Sequence, residues 1–261
     1  MPDAPRPDDA GTAPGDAGAV VFPTCLVEQL RPELGPACVQ LVAAVAPRTR
    51  TATRATCCGQ PAWNGGFVVA ARRVARATLR ALRGGAEPVV VPSGSCATMM
   101  REHWPELFAG SAEEGDAKAV AARVVELSSF LADRQHTPVE QARRADPDLG
   151  RVSFHDSCHG LRELGVKAQP RQLLSAAGVE VVETDGAERC CGFGGTFSVK
   201  LPAISVAMAD DKLDEWVAAG VDTVVGGDLS CLVHLEGRAR RRALPLRFRH
   251  VADVLIERDW Q

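Results

Sequence analysis

Hydrophobic and polar positions follow two alternating periods along this chain, and the whole alternation occurs twice. Two short β-rich runs, "GAVVFPTC" at 18–25 and "RVSFHDSC" at 151–158, each end at a cysteine. Each leads into a helical pattern, "PELGPACVQLVAAV" in the first half and "QPRQLLSAAG" in the second. A second strand is clear in "VEVVET" and weaker in "RTRTATRAT". Amphipathic helices follow in "FVVAARRVARATLRAL" and "AISVAMADDKLDEWVAAG", and then strands in "EPVVVPSGSC" and "VDTVVGGDLSC". The closing segment "PLRFRHVADVLIERDW" reads as one more strand and helix.

Strands that alternate with helices predict an α/β fold of parallel strands joined by right-handed crossovers, here two duplicated, Rossmann-like βαβ domains. The expected division is an acidic, Pro- and Gly-rich disordered tail over 1–18, a first domain over 19–108, a helical linker over 109–149 and a second domain over 150–261. In such a topology the carboxyl ends of the strands share one edge, and residues that follow them gather there.

Composition narrows the function classes. The 261 residues are 46% hydrophobic, enough for a sizeable core, and the net charge of −3 supplies no basic field for nucleic acid. No apolar run reaches the roughly 18–20 residues of a membrane span, and the tail lacks the basic and apolar regions of a signal peptide. The expectation is a cytoplasmic protein, with any membrane association peripheral, at the inner face.

Nine cysteines change the picture. Moving the first half forward by 133 places Cys25 on Cys158, Cys57 on Cys190 and Cys58 on Cys191, and Cys96 meets Cys231 at a shift of 135. Cys38, inside a helical pattern, has no counterpart and reads as a buried, inert thiol. Three repeated spacings with matching flanks signal an internal duplication. Adjacent cysteines do not bridge readily, because a disulfide needs its Cα atoms about 4.4–6.8 Å apart and a trans peptide holds them at about 3.8 Å.

Four thiolates per half, on separate loops, form the ligand set of a 4Fe-4S cluster, so one or two such clusters are expected. Gly59, Gly192, Gly194 and Gly195 follow the cysteine pairs, where positive φ would bring bare amides toward cluster sulfide. Helix N-termini at Cys25, Cys96, Cys158 and Cys231 would add positive dipole ends. Zinc is the alternative metal, although the close C-x2-4-C pairs of most zinc sites are missing. His155 and His159, in "HDSCHG", are candidates to ligate, to move protons or only to bond the backbone, and His234 stands three residues after Cys231. The arginine run 238–249 is either a solvated face or a docking face for an acidic partner.

These motifs resemble the duplicated cysteine-rich CCG domain of the heterodisulfide reductases and of the iron-sulfur subunits of glycolate and glycerol-3-phosphate dehydrogenases. "TCCGQPAWNGG", "PSGSCATMMR", "HDSCHGLRELGVKAQPRQLL", "CCGFGGTFSVK" and "DLSCLVHLEGR" are most similar to the iron-sulfur subunits of lactate-utilisation systems. The resemblance implies an iron-sulfur oxidoreductase subunit that helps oxidise a small 2-hydroxy acid, L-lactate, to pyruvate. It also implies two partners, a larger ferredoxin-type iron-sulfur subunit and a third small subunit. The disulfide-reducing relatives carry a fifth cysteine three residues after the fourth. Met99 and His234 stand there in this chain. A thiol-disulfide redox subunit and a zinc-bound scaffold are the alternative functions.

Overall fold

The computed structural model describes residues 18–134 and 147–256. The expected tail, apart from Gly18, and the last residues of the expected C-terminal helix lie outside them. The first half runs β1 (Gly18–Val21), α1 (Cys25–Leu30), α2 (Leu34–Val45), β2 (Arg48–Thr51), α3 (Gln60–Asn64), α4 (Val68–Leu82), β3 (Val89–Val91) and α5 (Gly94–Thr98). A π-turn at Met99–His103 then leads to α6 (Trp104–Leu107), α7 (Glu114–Ala121), β4 (Val124–Glu126) and α8 (Leu127–Ala132). The second half runs β5 (Val152–His155), α9 (Cys158–Leu164), α10 (Ala168–Ala176), α11 (Thr196–Lys200), α12 (Pro202–Ala218), β6 (Thr223–Gly226), α13 (Leu229–Arg241), β7 (Arg247–His250) and α14 (Val251–Leu255).

All strand pairs are parallel, in the order β2-β1-β3-β4 and β5-β6-β7, as alternating strands and helices predict. The inner strand β3, three valines, is wholly buried, whereas β2, "RTRT", is an exposed edge strand. Exposure at an edge explains why its apolar pattern is weak. "VEVVET" forms no strand: Val181 makes a single bridge to Val152, and Glu183 turns outward to Arg171.

The span 109–149, expected as linking helices, also contains β4, which pairs along β3 from Val89↔Val124 to Val91↔Glu126. β4 and α8 stand to the first sheet as β7 and α14 stand to the second. In both, the last strand residue caps the helix: Glu126 accepts from Ser129 N and His250 from Ala252 N.

The halves meet reciprocally, as an approximate twofold requires: α5 packs on α9 and α13 on α1, while α8 packs on α10 and α14 on α2. At the α5/α9 crossing a Cβ on Gly94 would lie 2.6 Å from Ser157 Oγ and 3.0 Å from Gly160 Cα, so the backbones touch. Asp156, buried at the end of β5, receives a fork of two bonds from Arg171, at 2.9 and 2.8 Å.

Candidate metal centre

The crossovers place four of the repeated cysteines in the first turn of a helix that follows a strand. Cys25 and Cys158 open α1 and α9, while Cys96 and Cys231 are third in α5 and α13. Capping fixes the latter pair: Ser93 Oγ accepts from Cys96 N, and Asp228 accepts from Ser230 N. Thr24, before Cys25, holds φ 74°, a strained conformation of a kind that clusters at functional sites.

The cysteine pairs lie on loops pinned from behind. In the first half Trp104 Nε1 donates to Cys58 O at 2.9 Å and Thr78 Oγ1 to Cys57 O at 3.0 Å. In the second, Ser205 Oγ donates to Gly192 O at 2.7 Å, and the buried Lys212 Nζ donates to the carbonyls of Gly186 and Ala187 at 2.9 and 3.0 Å. Gly59 and Gly192 take φ of 90° and 86°. A Cβ on either would strike the helix behind, 2.8 Å from Ala71 O or 2.6 Å from Ser205 O. Their amides point at sulfur, each 3.4 Å from Cys57 or Cys190 Sγ.

Within each half the thiols converge. Cys25 Sγ lies 3.7 Å from Cys57 Sγ and Cys58 Sγ lies 3.3 Å from Cys96 Sγ; in the second half Cys158 and Cys190 are 3.9 Å apart. None is disulfide-bonded. The S–H groups of Cys25 and Cys58, helped by the Gly59 amide, pull the Cys57 thiol down to about 3, and Cys158 and Cys191 pull Cys190 down to about 2. The same contacts push Cys25, Cys58, Cys158 and Cys191 up. Metal binding would require the thiols of each quartet as thiolates.

Both quartets open into one cavity of about 420 Å³, lined by all eight repeated cysteines together with Thr24, Asn64, His159, Phe193, Gly194 and Gly195 among others. This sharing was not expected from the sequence, which predicts a cluster site in each half. Four thiols per half, backbone N–H groups on sulfur and helix first turns make a donor set suited to an anionic iron-sulfur group.

The other candidates separate. His159 lines the cavity, with Nδ1 3.5 Å from Cys158 Sγ. His155 is buried behind the second quartet, and one of its nitrogens lies within 4.8 Å of Cys191 and Cys231 Sγ. Among the described residues, neither of its ring nitrogens has a hydrogen-bond partner. Burial, with the Lys212 charge, holds its pKa down at about 3. His234 turns away to Ser205 Oγ at 3.4 Å, and Met99 is packed in the core beside Cys58. Cys38 is buried in α2, where loss of hydration pushes its thiol up. Arg238 and Arg242 grip Asp210, and Arg240 bonds Glu236, so these arginines are occupied within the chain. Lys212 and the pair Ser93–Asp228 were missed in the sequence. The offset of 135 between Ser93 and Asp228, the same as for Cys96 and Cys231, was the available signal.

The fold and the paired quartets define a duplicated cysteine-rich protein, and a family model described as CCG, cysteine-rich domain, matches residues 19–101 and 152–236. The chain belongs to that family and carries its domain twice. It is similar over most of its length to proteins named lactate utilization protein A. That of Geobacillus kaustophilus is 41% identical over 242 residues, 92% of this chain and 98% of the relative. That of Anoxybacillus flavithermus is 40% identical over 240 residues, covering 91% and 98%. That of Exiguobacterium sp. is 37% identical over 240 residues, covering 91% and 96%. Among the described residues no helix is long and apolar enough to cross a membrane.

Proposed function

We propose that this chain is an iron-sulfur electron-transfer subunit of a cytoplasmic complex that oxidises L-lactate to pyruvate. The observation that carries the reading is the convergence of two thiol quartets on one cavity. The names of the relatives support the substrate. Cys25, Cys57, Cys58 and Cys96 would hold one cluster, and Cys158, Cys190, Cys191 and Cys231 a second. Bound clusters supply one-electron storage. Oxidation of a 2-hydroxy acid to a 2-oxo acid releases two electrons and two protons, and two one-electron sites match the electron count.

The chain's own residues orient and insulate. The amides of Gly59 and Gly192 stabilise negative charge on Cys57 and Cys190. His159 lines the cavity wall and would take a proton there. His155 lies behind the cysteines and does not line that cavity. The partners are a ferredoxin-type iron-sulfur subunit and a third small subunit.

A second reading, zinc in the second half, is favoured by one observation: His155, Cys191 and Cys231 form a compact buried group of zinc-ligand type.

The test is lactate-dependent reduction of an artificial acceptor by the anaerobically purified protein combined with its partner subunits. Wild type should support turnover, and a folded Cys191→Ser variant should lose it. Full turnover by that variant would overturn the assignment.

A further inference from the structure

The two quartets hold equivalent places in a repeated fold, but the groups packed behind them differ. Phe22 directly follows the first strand, three residues before Cys25, and belongs to the same core cluster as Cys58. His155 takes the same place before Cys158. It is 1% exposed, and neither ring nitrogen is hydrogen-bonded among the described residues. One of those nitrogens faces Cys191 and Cys231 Sγ. A neutral imidazole carries an N–H in either tautomer.

The helix behind shows a second difference. Cβ atoms built on Gly59 and Gly192 meet Ala71 and Ser205, which aligns α4 with α12. The buried positions then correspond one by one: Ala71, Ala75, Thr78, Leu79 and Leu82 match Ser205, Ala209, Lys212, Leu213 and Trp216. Thr78 and Lys212 do the same structural work, each bonding backbone carbonyls of the cysteine loop. Only Lys212 brings an ammonium, which burial disfavours and which Glu215, Cys191, Asp156 and Cys231 favour in that order.

The acid that acts on this charge most strongly is Glu215, which also accepts from Gly186 N and pairs with Arg189 at 3.9 Å. Asp156 is forked to Arg171. Asp228 bonds Ser93 Oγ and Ser95 N in the first half as well as Ser230 in the second, and its charge reaches Cys231. Lys212 and His155, whose ring nitrogens have no hydrogen-bond partner among the described residues, stand behind the second quartet where the first has Thr78 and Phe22.

We propose that the two centres are unequal, with the one held by Cys158, Cys190, Cys191 and Cys231 having the higher reduction potential, and that Lys212 and His155 set the difference. The inference rests on the iron-sulfur reading above. Added positive charge and N–H donation to sulfur both stabilise the more anionic, reduced form of a cluster. An electron shared between the centres therefore resides on the second, which gives transfer across the cavity a direction.

The test is an electron-paramagnetic-resonance redox titration of the full chain, purified without oxygen, after iron, zinc and sulfide per chain have been measured. Wild type should show two steps, and Cys57→Ser, which removes the first centre, should keep the upper one. Lys212→Met and His155→Phe should each lower the upper step and leave the lower step in place. The expected change is at least tenfold in the reduced-to-oxidised ratio at fixed potential, which is about 59 mV for one electron. His155→Phe installs the residue used in the first half, so it decides the matter if Lys212→Met fails to fold. Coincident steps, an upper step that disappears with Cys57→Ser, an upper step unmoved by both substitutions, or a second site filled by zinc would overturn the proposal. A chain without iron and sulfide would instead overturn the reading on which it rests.

Discussion

Ser93 and Asp228 occupy equivalent positions in the two halves and are bonded to each other. Ser93 Oγ donates to Asp228 Oδ2 at 3.1 Å, the two residues form an antiparallel bridge, and Ser95 N donates to the same oxygen at 2.8 Å. Each also caps the helix that carries its half's last cysteine. One contact therefore joins the halves and orients Cys96 and Cys231 together. Asp228→Ala should destabilise by about 2–4 kcal/mol, from a lost cap and buried donors left unpaired, while Ser93→Ala should cost about 1 kcal/mol. Denaturant unfolding of both variants and the double variant checks this. Additive effects would show that the contact does not couple the halves.

Gly94 sets the approach of α5 to α9. The added methyl group of Gly94→Ala would meet Ser157 Oγ and the Gly160 backbone. It should cost about 1–3 kcal/mol, the usual range for overpacking. Thermal unfolding reads the loss, and a wild-type midpoint would mean that the crossing gives way freely.

Glu126 makes stability depend on pH. Burial, with a smaller push from Asp228, raises its pKa from 4.5 to about 7. The folded state then binds this proton more tightly than the unfolded state. Its contribution is complete below pH 4.5 and is lost as pH rises to about 7, a fall of roughly 3 kcal/mol at about 1.36 kcal/mol per unit. Glu126→Gln keeps the acceptor that caps α8 and should flatten this slope. Unfolding curves of the two proteins between pH 4.5 and 7 give the comparison, and identical slopes would contradict it.

The ninth cysteine serves as an internal control. Cys38→Ala should leave metal content unchanged and cost about 1 kcal/mol as a small cavity opens in α2's packing. Cys191→Ser should remove the second centre. Equal metal loss from the two variants would show that burial in α2 does not distinguish Cys38 from the quartets.

The duplication was legible because covalent spacing carries it: the cysteine shifts of 133 and 135 survive whatever the chain does between them. Strands that fill sheet interiors, such as "VVV" in β3, were legible for a similar reason, since burial on both faces demands continuous apolar residues. β4 was not, because three residues declare no period and the strand exists by pairing with β3. "VEVVET" failed in the opposite direction: its alternation is sound, but only Val181 finds a partner. Lys212 was hidden because a lysine on an amphipathic helix reads as solvated, and only the loop carbonyls of Gly186 and Ala187 make its burial tolerable. The shared cavity depends on how the halves dock, through Gly94 and through Ser93 with Asp228. Each of these says little until its counterpart is placed beside it.

Iron, zinc and acid-labile sulfide per chain, measured in protein purified without oxygen, decide whether the paired quartets hold iron-sulfur clusters. Iron-sulfur quartets give a brown protein with about four iron and four sulfide for each occupied quartet. A colourless protein containing zinc and no sulfide would contradict the iron-sulfur reading.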